Sequence, residues 1–382
     1  MQQSPFQLIH VVGSDTTGLQ ADALQAIRDV EEFGVQRVIL IGASASRAVR
    51  SMCDAQVRAP KSVPWCARRT LRDFLSPKKP ALLHVWSLQA LGWLAAGVQS
   101  LARHAPELIP PIVLELEPSG DLERHVDSFR LLNVFADLRI ICEDETFSQR
   151  LRHLDVSPDR CLSIPTGVEH ERLGTDDRAA LRDRLGLKPE QLGILPLPPI
   201  ARASGAFTAA WGAMLLEHAR PGIRLILPER GPETTRIVNL VEACRMSHML
   251  VPEAFDLSWP MPLKVADLAV FLPTRTAATA GVHWAMAAAC PLIVSEVPVL
   301  RRLLDPEQTA WFVPPDNPKE ACRALLTVLE DPEQSRRRAE AARAQANAAF
   351  GRRRMLEQYG RFYASLLGER RLRLLGRVAL VP

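Results

Sequence analysis

Along the first 165 residues, short apolar runs alternate with longer stretches in which apolar side chains recur every three or four positions. The runs are QLIHVV (7–12), RVILIG (37–42), ALLHVW (81–86), PIVLEL (111–116), LRIIC (138–142) and CLSIP (161–165). Each is bounded by polar, Pro or Gly residues, the pattern of strands buried in a parallel sheet. Between them lie amphipathic segments such as LQADALQAIRDVEEFG, which ends on the helix-stopping Gly34. The second half repeats the rhythm with GILPL (193–197), IRLIL (223–227), HMLV (248–251), LAVFL (268–272), PLIVS (291–295) and AWFVP (310–314). Strand–helix alternation predicts parallel sheets with right-handed crossovers. Two such blocks predict two doubly wound α/β domains, at 1–168 and 191–351, joined by a polar, charged linker at 169–190. Open parallel sheets take ligands outside the carboxyl ends of their strands. Two of them facing each other are expected to leave a ligand cleft between domains.

Composition narrows this picture only a little. A chain of 382 residues is a natural length for two such domains. A formal charge of +4 carries no nucleic-acid reading. The seven cysteines are scattered without metal-ligand spacing, which fits reduced thiols in a cytoplasmic protein and no bound metal. The start, MQQSPFQLIHVVGSD, lacks a basic stretch followed by an apolar one, so no signal peptide is expected. No apolar run approaches the roughly 18 residues of a membrane span. No G-x-G-x-x-G follows the first strand, which argues against an NAD-dependent oxidoreductase.

Several segments carry a family resemblance, in order and at natural spacing. DLRIICEDETFSQRLRHLDVSPDRCLSIPTGVEHERL resembles the hinge region of GT-B glycosyltransferases of family 4. In that family an aspartate-led strand and a short helix lead into IPNGVD; here IPTGVEHERL keeps Gly167 and Val168. RAALRDRLGL is similar to the family's lead-in to its second domain, and ADLAVFLPTRT together with WAMAAACPLIVSEVPVLRRLL to its donor-binding half. FGRRRMLEQYGRFYASLL resembles the final helix, which in the family crosses back to the first domain; that places it at 352–367, with a basic tail at 368–382. The resemblance implies a GT-B fold of two Rossmann-like domains. It also implies nucleotide-sugar-dependent, retaining glycosyl transfer to a glycan or lipid acceptor. The second domain would hold the donor, and the first the acceptor. The transition state would be oxocarbenium-like, and the departing diphosphate would need cationic or dipolar stabilisation. No metal or other cofactor is implied, and no catalytic residue is assigned.

Residue by residue, the donor site departs from the family. An Arg and a Lys in a GR…KG segment after the second domain's first strand normally grip the diphosphate. Here the segment is PPIARASG, with Pro199 where Arg is expected, Ser204 where Lys is expected, and Gly205 kept. Proline brings no N–H and no charge, and a serine hydroxyl gives only a neutral hydrogen bond. Arg202 is the nearby cation that can substitute. The family's two glutamates, which would meet sugar and ribose, fall on Thr276 or Ala277 and on Trp284, so neither carboxylate is present. Trp284 reads either as a packing residue or as a stacking platform, and His283 as a helix-face histidine. Arg275, Thr276, Thr279 and the amides near Gly281 remain as donor-binding candidates, since a helix N-terminus attracts anions without side-chain charge. In the first domain, Gly18 in GSDTTGLQADAL stands where the family has its glycine loop. Glu117 stands where it often has a histidine, and is a candidate for acceptor hydroxyls. His84 matches a strand-end histidine, while Trp86 replaces a second one.

One feature lies outside the resemblance. Residues 43–80 hold nine basic residues against two acidic ones, with Trp65 and Phe74 interleaved. Arg68, Arg69 and Arg72 are candidates there for contact with an anionic membrane surface, and the basic amphipathic tail points the same way. Two readings stay open. One is a weak nucleotide-sugar transferase. The other is a non-catalytic homologue that binds a glycan, the inner face of an anionic membrane or a partner transferase.

Overall fold

The computed structural model describes residues 6–13, 16–42, 47–57, 64–75, 81–105, 108–116, 126–135, 137–143, 151, 156–174, 178–257, 259–275 and 278–367. The chain divides into two compact units, Met1–Pro165 with Arg353–Pro382, and Thr166–Arg352.

In the first unit the apolar runs become strands: β1 (Gln7–Gly13), β2 (Val35–Ile41), β3 (Ala55–Val57), β4 (Ala81–Val85), β5 (Ile112–Leu116), β6 (Leu138–Cys142) and β7 (Cys161–Ser163). They pair in parallel in the order β3-β2-β1-β4-β5-β6-β7, so the chain reverses direction across the sheet between β1 and β4. The edge strand β3 was not predicted. Its AQV sequence is half exposed and offers no apolar run to read. Leu8, Ile9, Val11 and Val12 of β1 are all buried, as a central strand covered on both faces requires. One face packs on helices Pro64–Phe74 and Leu88–His104, with the Ala67 and Leu71 side chains set against Gly97. The other is covered by Gly18–Arg28 and by the C-terminal helix Arg352–Leu367, whose Met355, Tyr359, Tyr363 and Leu367 recur every four residues and are all buried.

The second unit has β8 (Leu192–Pro196), β9 (Ile223–Leu225), β10 (Leu268–Phe271), β11 (Leu292–Ser295) and β12 (Trp311–Val313), all parallel in the order β12-β11-β10-β8-β9. The expected strand at 248–251 does not form. Ser247–Met249 is a 3-10 turn, and Leu250 makes a single bridge to Leu225, because β9 is only three residues long and offers little edge to extend. Residues 169–190, read from their charge as a linker, lie within this unit. Their helix Arg178–Arg184 carries a buried Arg182 whose guanidinium donates to the Val265 and Gln191 carbonyls at 2.8 and 2.6 Å and pairs with Asp267 at 3.0 Å. Paired in this way, an arginine is packed rather than solvated, which charge counting does not reveal. The sequence-based boundary at 168 moves to Pro165. Among the described residues no helix is long and apolar enough to cross a membrane. The basic tail at 368–382 lies outside the described residues.

Candidate functional site

The chain order of the second sheet reverses between β8 and β10. Loops leaving the carboxyl ends of two such strands diverge, and the crevice between them is where open sheets take ligands. The segment 197–205 follows β8, and 272–279 follows β10. These two segments hold the donor-binding candidates except Gly281, which lies in the helix that follows the second.

After β8 the chain turns through Pro198 and Pro199 into a 3-10 turn at Arg202–Ser204 and then into helix Ala206–Ala219. Ser204 is 2% exposed, and its hydroxyl donates to the Pro199 and Ala201 carbonyls at 2.5 and 2.8 Å. It closes its own turn, so the hydroxyl expected to face a phosphate is turned inward. Gly205 has φ +70, and an added Cβ would lie 1.8 Å from the Leu272 carbonyl oxygen. The Leu272 N–H in turn donates to the Ser204 carbonyl at 3.1 Å, which locks the two loops together. Arg202 is exposed on this turn, and Arg275 is exposed on the facing loop. Thr276 and Ala277 lie outside the described residues.

Helix Ala280–Ala287 begins at Thr279, which is buried and makes no side-chain cap. All eight helical residues are buried. Gly281 sits against the β8 loop, where an added Cβ would come within 3.2 Å of the Pro198 carbonyl. The start of this helix therefore packs on protein backbone near Gly281. Trp284 is 0% exposed, with the Arg172 guanidinium 5.6 Å from its ring centre. His283 stacks on Phe350 at 3.8 Å and faces the Thr166 carbonyl at 3.3 Å. Burial lowers its pKa to about 4, against the raising effect of that carbonyl, so the ring is neutral. The IPTGV segment is held in turn by backbone bonds from Val168 to Phe350 and from Arg352 to Val168, at 2.7 and 3.0 Å.

In the first unit, Gly18 opens helix Gly18–Arg28 in an ordinary capping box. The Thr17 hydroxyl accepts from the Gln20 N–H at 3.2 Å, and the Gln20 side chain accepts from the Thr17 N–H at 3.0 Å. Glu117 lies outside the described residues. The polar groups that do cluster here were missed as a group. His84 and His10 are fully buried, on neighbouring strands and in register. His84 Nε2 contacts the Glu115 carboxyl at 3.3 Å and Nδ1 the Tyr363 hydroxyl at 2.8 Å, while the Tyr359 hydroxyl donates to Glu115 at 2.9 Å. The Trp86 indole N–H donates to His10 at 3.1 Å, and His10 reaches the Gln36 side chain at 3.0 Å. Burial lowers both histidine pKa values to about 3 and raises Glu115 to about 8; the Tyr359 hydrogen bond opposes the Glu115 shift only in part. At neutral pH the contact between His84 and Glu115 is thus a hydrogen bond between neutral groups. One signal was available: His10 and His84 both interrupt otherwise apolar strands, in LIHVV and LLHVW.

Arg69 and Arg72 are exposed and Arg68 half-buried on helix Pro64–Phe74. Arg58, Lys61, Lys78 and Lys79 of the same basic segment lie outside the described residues. A depression of about 430 Å³ lined by Arg178, Asp267 and Cys290 opens near the amino ends of β10 and β11, away from both loops, and the Arg178–Asp267 ion pair braces it.

Residues 216–345 match the family model described as "Glycosyl transferases group 1". Sequence comparison with curated proteins found no match. Among solved structures, Anabaena Alr3699/HepE in complex with UDP and glucose is similar at a TM-score of 0.76 and 15% identity, covering 94% of this chain and 100% of that one. A glycosyltransferase from Rickettsia africae ESF-5 is similar at 0.70 and 11% identity, covering 97% and 100%. A sucrose-phosphate synthase from Thermosynechococcus elongatus is similar at 0.66 and 16% identity, covering 94% and 99%. These likenesses establish the fold: two parallel-sheet, Rossmann-like α/β domains, as in GT-B glycosyltransferase structures.

Proposed function

We propose that this chain is a family 4-like glycosyltransferase homologue whose second unit keeps the donor-binding scaffold with a weakened grip on nucleotide sugars. The observation that carries this reading is the β8 loop. Ser204 closes its own turn, Pro199 brings no donor, and Trp284 is sealed where the family has a carboxylate. Support comes from the family match over residues 216–345 and from structural relatives crystallised with UDP and glucose or UDP-glucose. A hydrogen bond with a charged partner contributes about 1.5–3 kcal/mol, and each 1.4 kcal/mol is about tenfold in affinity. Loss of even two such contacts takes a micromolar donor site to hundreds of micromolar or weaker. Calorimetric titration with UDP-, GDP- and ADP-sugars is expected to show binding no tighter than that. A low-micromolar dissociation constant lost on Arg202→Ala would instead establish an active donor site with a displaced phosphate contact.

A second reading rests on the exposed Arg69 and Arg72 beside Arg68: a cytoplasmic protein that touches the inner face of an anionic membrane. Vesicles containing anionic lipid should bind the protein and release it with added salt, because surface charge attraction is screened over about 10 Å at 0.1 M. Replacing Arg68, Arg69 and Arg72 together by Ala should weaken that binding with little change in the melting midpoint. Equal binding to neutral vesicles would rule the electrostatic account out.

A further inference from the structure

One face of helix Ala206–Ala219 stays open to solvent. Phe207, Trp211 and Leu215 follow one another at four-residue spacing and so share that face. Phe207 and Leu215 are half-buried, and Trp211 is 44% exposed. Helix Pro318–Glu330 packs beside the stripe against Gly212, where an added Cβ would lie 2.9 Å from that of Ala321. The Phe207 and Trp211 rings meet edge to face, with 6.0 Å between centres and 78° between planes. The Arg236 guanidinium lies 3.9 Å from the Phe207 ring centre and donates to the Glu233 carboxylate at 3.2 Å. Trp211 is thus an open aromatic surface, braced by Phe207 and one ring away from a guanidinium–carboxylate pair.

We propose that Trp211, with Arg236 and Glu233 beyond Phe207, binds a neutral glycan, one pyranose ring stacking on the indole. A tryptophan covers at most about 250 Å², so about 100 Å² of Trp211 stays open. That is an area for one sugar face, far below the roughly 800 Å² per partner that a stable protein interface buries. The hydrogens on a pyranose face carry slight positive charge and are drawn to the negative face of an indole. The hydroxyls point outward from the ring edge, where a guanidinium donates and a carboxylate accepts. Because the ligand is uncharged, the Arg236–Glu233 pair stays intact when it binds. Trp211 lies six residues beyond Gly205, about 9 Å along the helix axis. The platform is therefore separate from the donor crevice, and it does not rest on the glycosyltransferase reading.

The test is calorimetric titration of the full chain with maltohexaose, cellohexaose, glucose and UMP. At least one hexasaccharide should bind about tenfold more tightly than glucose, because a neighbouring ring reaches Arg236 and Glu233. Trp211→Ala should weaken that binding about tenfold, the worth of one aromatic contact, and Trp211→Phe should recover part of it. Neither should move the melting midpoint much, because Trp211 is exposed. Arg236→Ala should weaken binding several-fold, while Val134→Ser, at an exposed apolar side chain of the first unit, should leave it unchanged. UMP binding as tight as that of the hexasaccharides and lost in Trp211→Ala would make the ring a base platform and overturn the proposal. So would the absence of hexasaccharide binding, equal affinity in Trp211→Ala and the parent, or a dimer that Trp211→Ala abolishes and the hexasaccharides leave intact.

Discussion

The stability of the first unit is expected to peak near pH 6.5 and to fall on both sides, through two different sets of buried groups. Glu115 keeps its proton when folded up to about pH 8, whereas an unfolded glutamate releases it near 4.5. Over that window unfolding releases a proton, so stability declines as pH rises. His10 and His84 behave in the opposite sense. They stay neutral when folded down to about pH 3, but protonate near 6.5 when unfolded. Unfolding then takes up protons, so their contribution is lost as pH falls from 6.5 towards 3. Each proton exchanged gives a slope of roughly 1.4 kcal/mol per pH unit. Two histidines against one carboxyl leave a net acid limb below 6.5, and above it the carboxyl acts alone. His283, with its pKa lowered to about 4, adds to the acid limb from the second unit. Urea denaturation of the full chain from pH 4 to 9 measures the profile. Glu115→Gln mimics the protonated carboxyl and should flatten the limb above 6.5, while His84→Gln should make the acid limb shallower. A profile of Glu115→Gln parallel to the parent between pH 6.5 and 8 would show that Glu115 is already ionised in the fold.

Gly205→Ala is expected to be among the most damaging single changes in the second unit, and Gly186→Ala to be mild. Both glycines have positive φ, +70 and +67. An L-residue in that region costs roughly 1–2 kcal/mol. At Gly186 an added Cβ meets nothing within 4 Å, so that backbone cost is the whole effect. At Gly205 the Cβ would fall 1.8 Å from the Leu272 carbonyl oxygen and 2.4 Å from its carbon, with backbone rather than a flexible side chain in the way. The bond from the Leu272 N–H to the Ser204 carbonyl holds that approach closed. Relief requires the β8 loop to separate from the end of β10, at a cost of more than about 4 kcal/mol, the range reserved for clashes and lost networks. Melting midpoints of the two variants decide. A similar small drop in both would mean that the loop opens freely and that the Leu272 contact does not hold it. A soluble Gly205→Ala protein with a midpoint many degrees lower would establish this glycine as structural.

The local pattern of the sequence was enough to locate eleven of the strands, because a buried parallel strand is a short apolar run between polar or turn residues, and that signal sits in neighbouring positions. The same holds for the uncharged residues at Pro199, Ser204 and Trp284, which are read directly from residue identity. Half-exposed β3 had no such signal, and the run at 248–251 had one but no strand edge to extend. What the residues do with their polar atoms was decided only by the tertiary structure. Ser204 carries a hydroxyl in any fold, but its burial on the Pro199 and Ala201 carbonyls depends on the loop closing over β10. His84 and Glu115 meet Tyr363 and Tyr359 across separations of 279 and 244 residues, and Arg172 meets Trp259 across 87. Hydrophobic periodicity reports which face of an element is buried. Which donor finds an acceptor, and which is left without one, depends on elements far apart in the chain being brought within about 3 Å, and no local pattern encodes that distance.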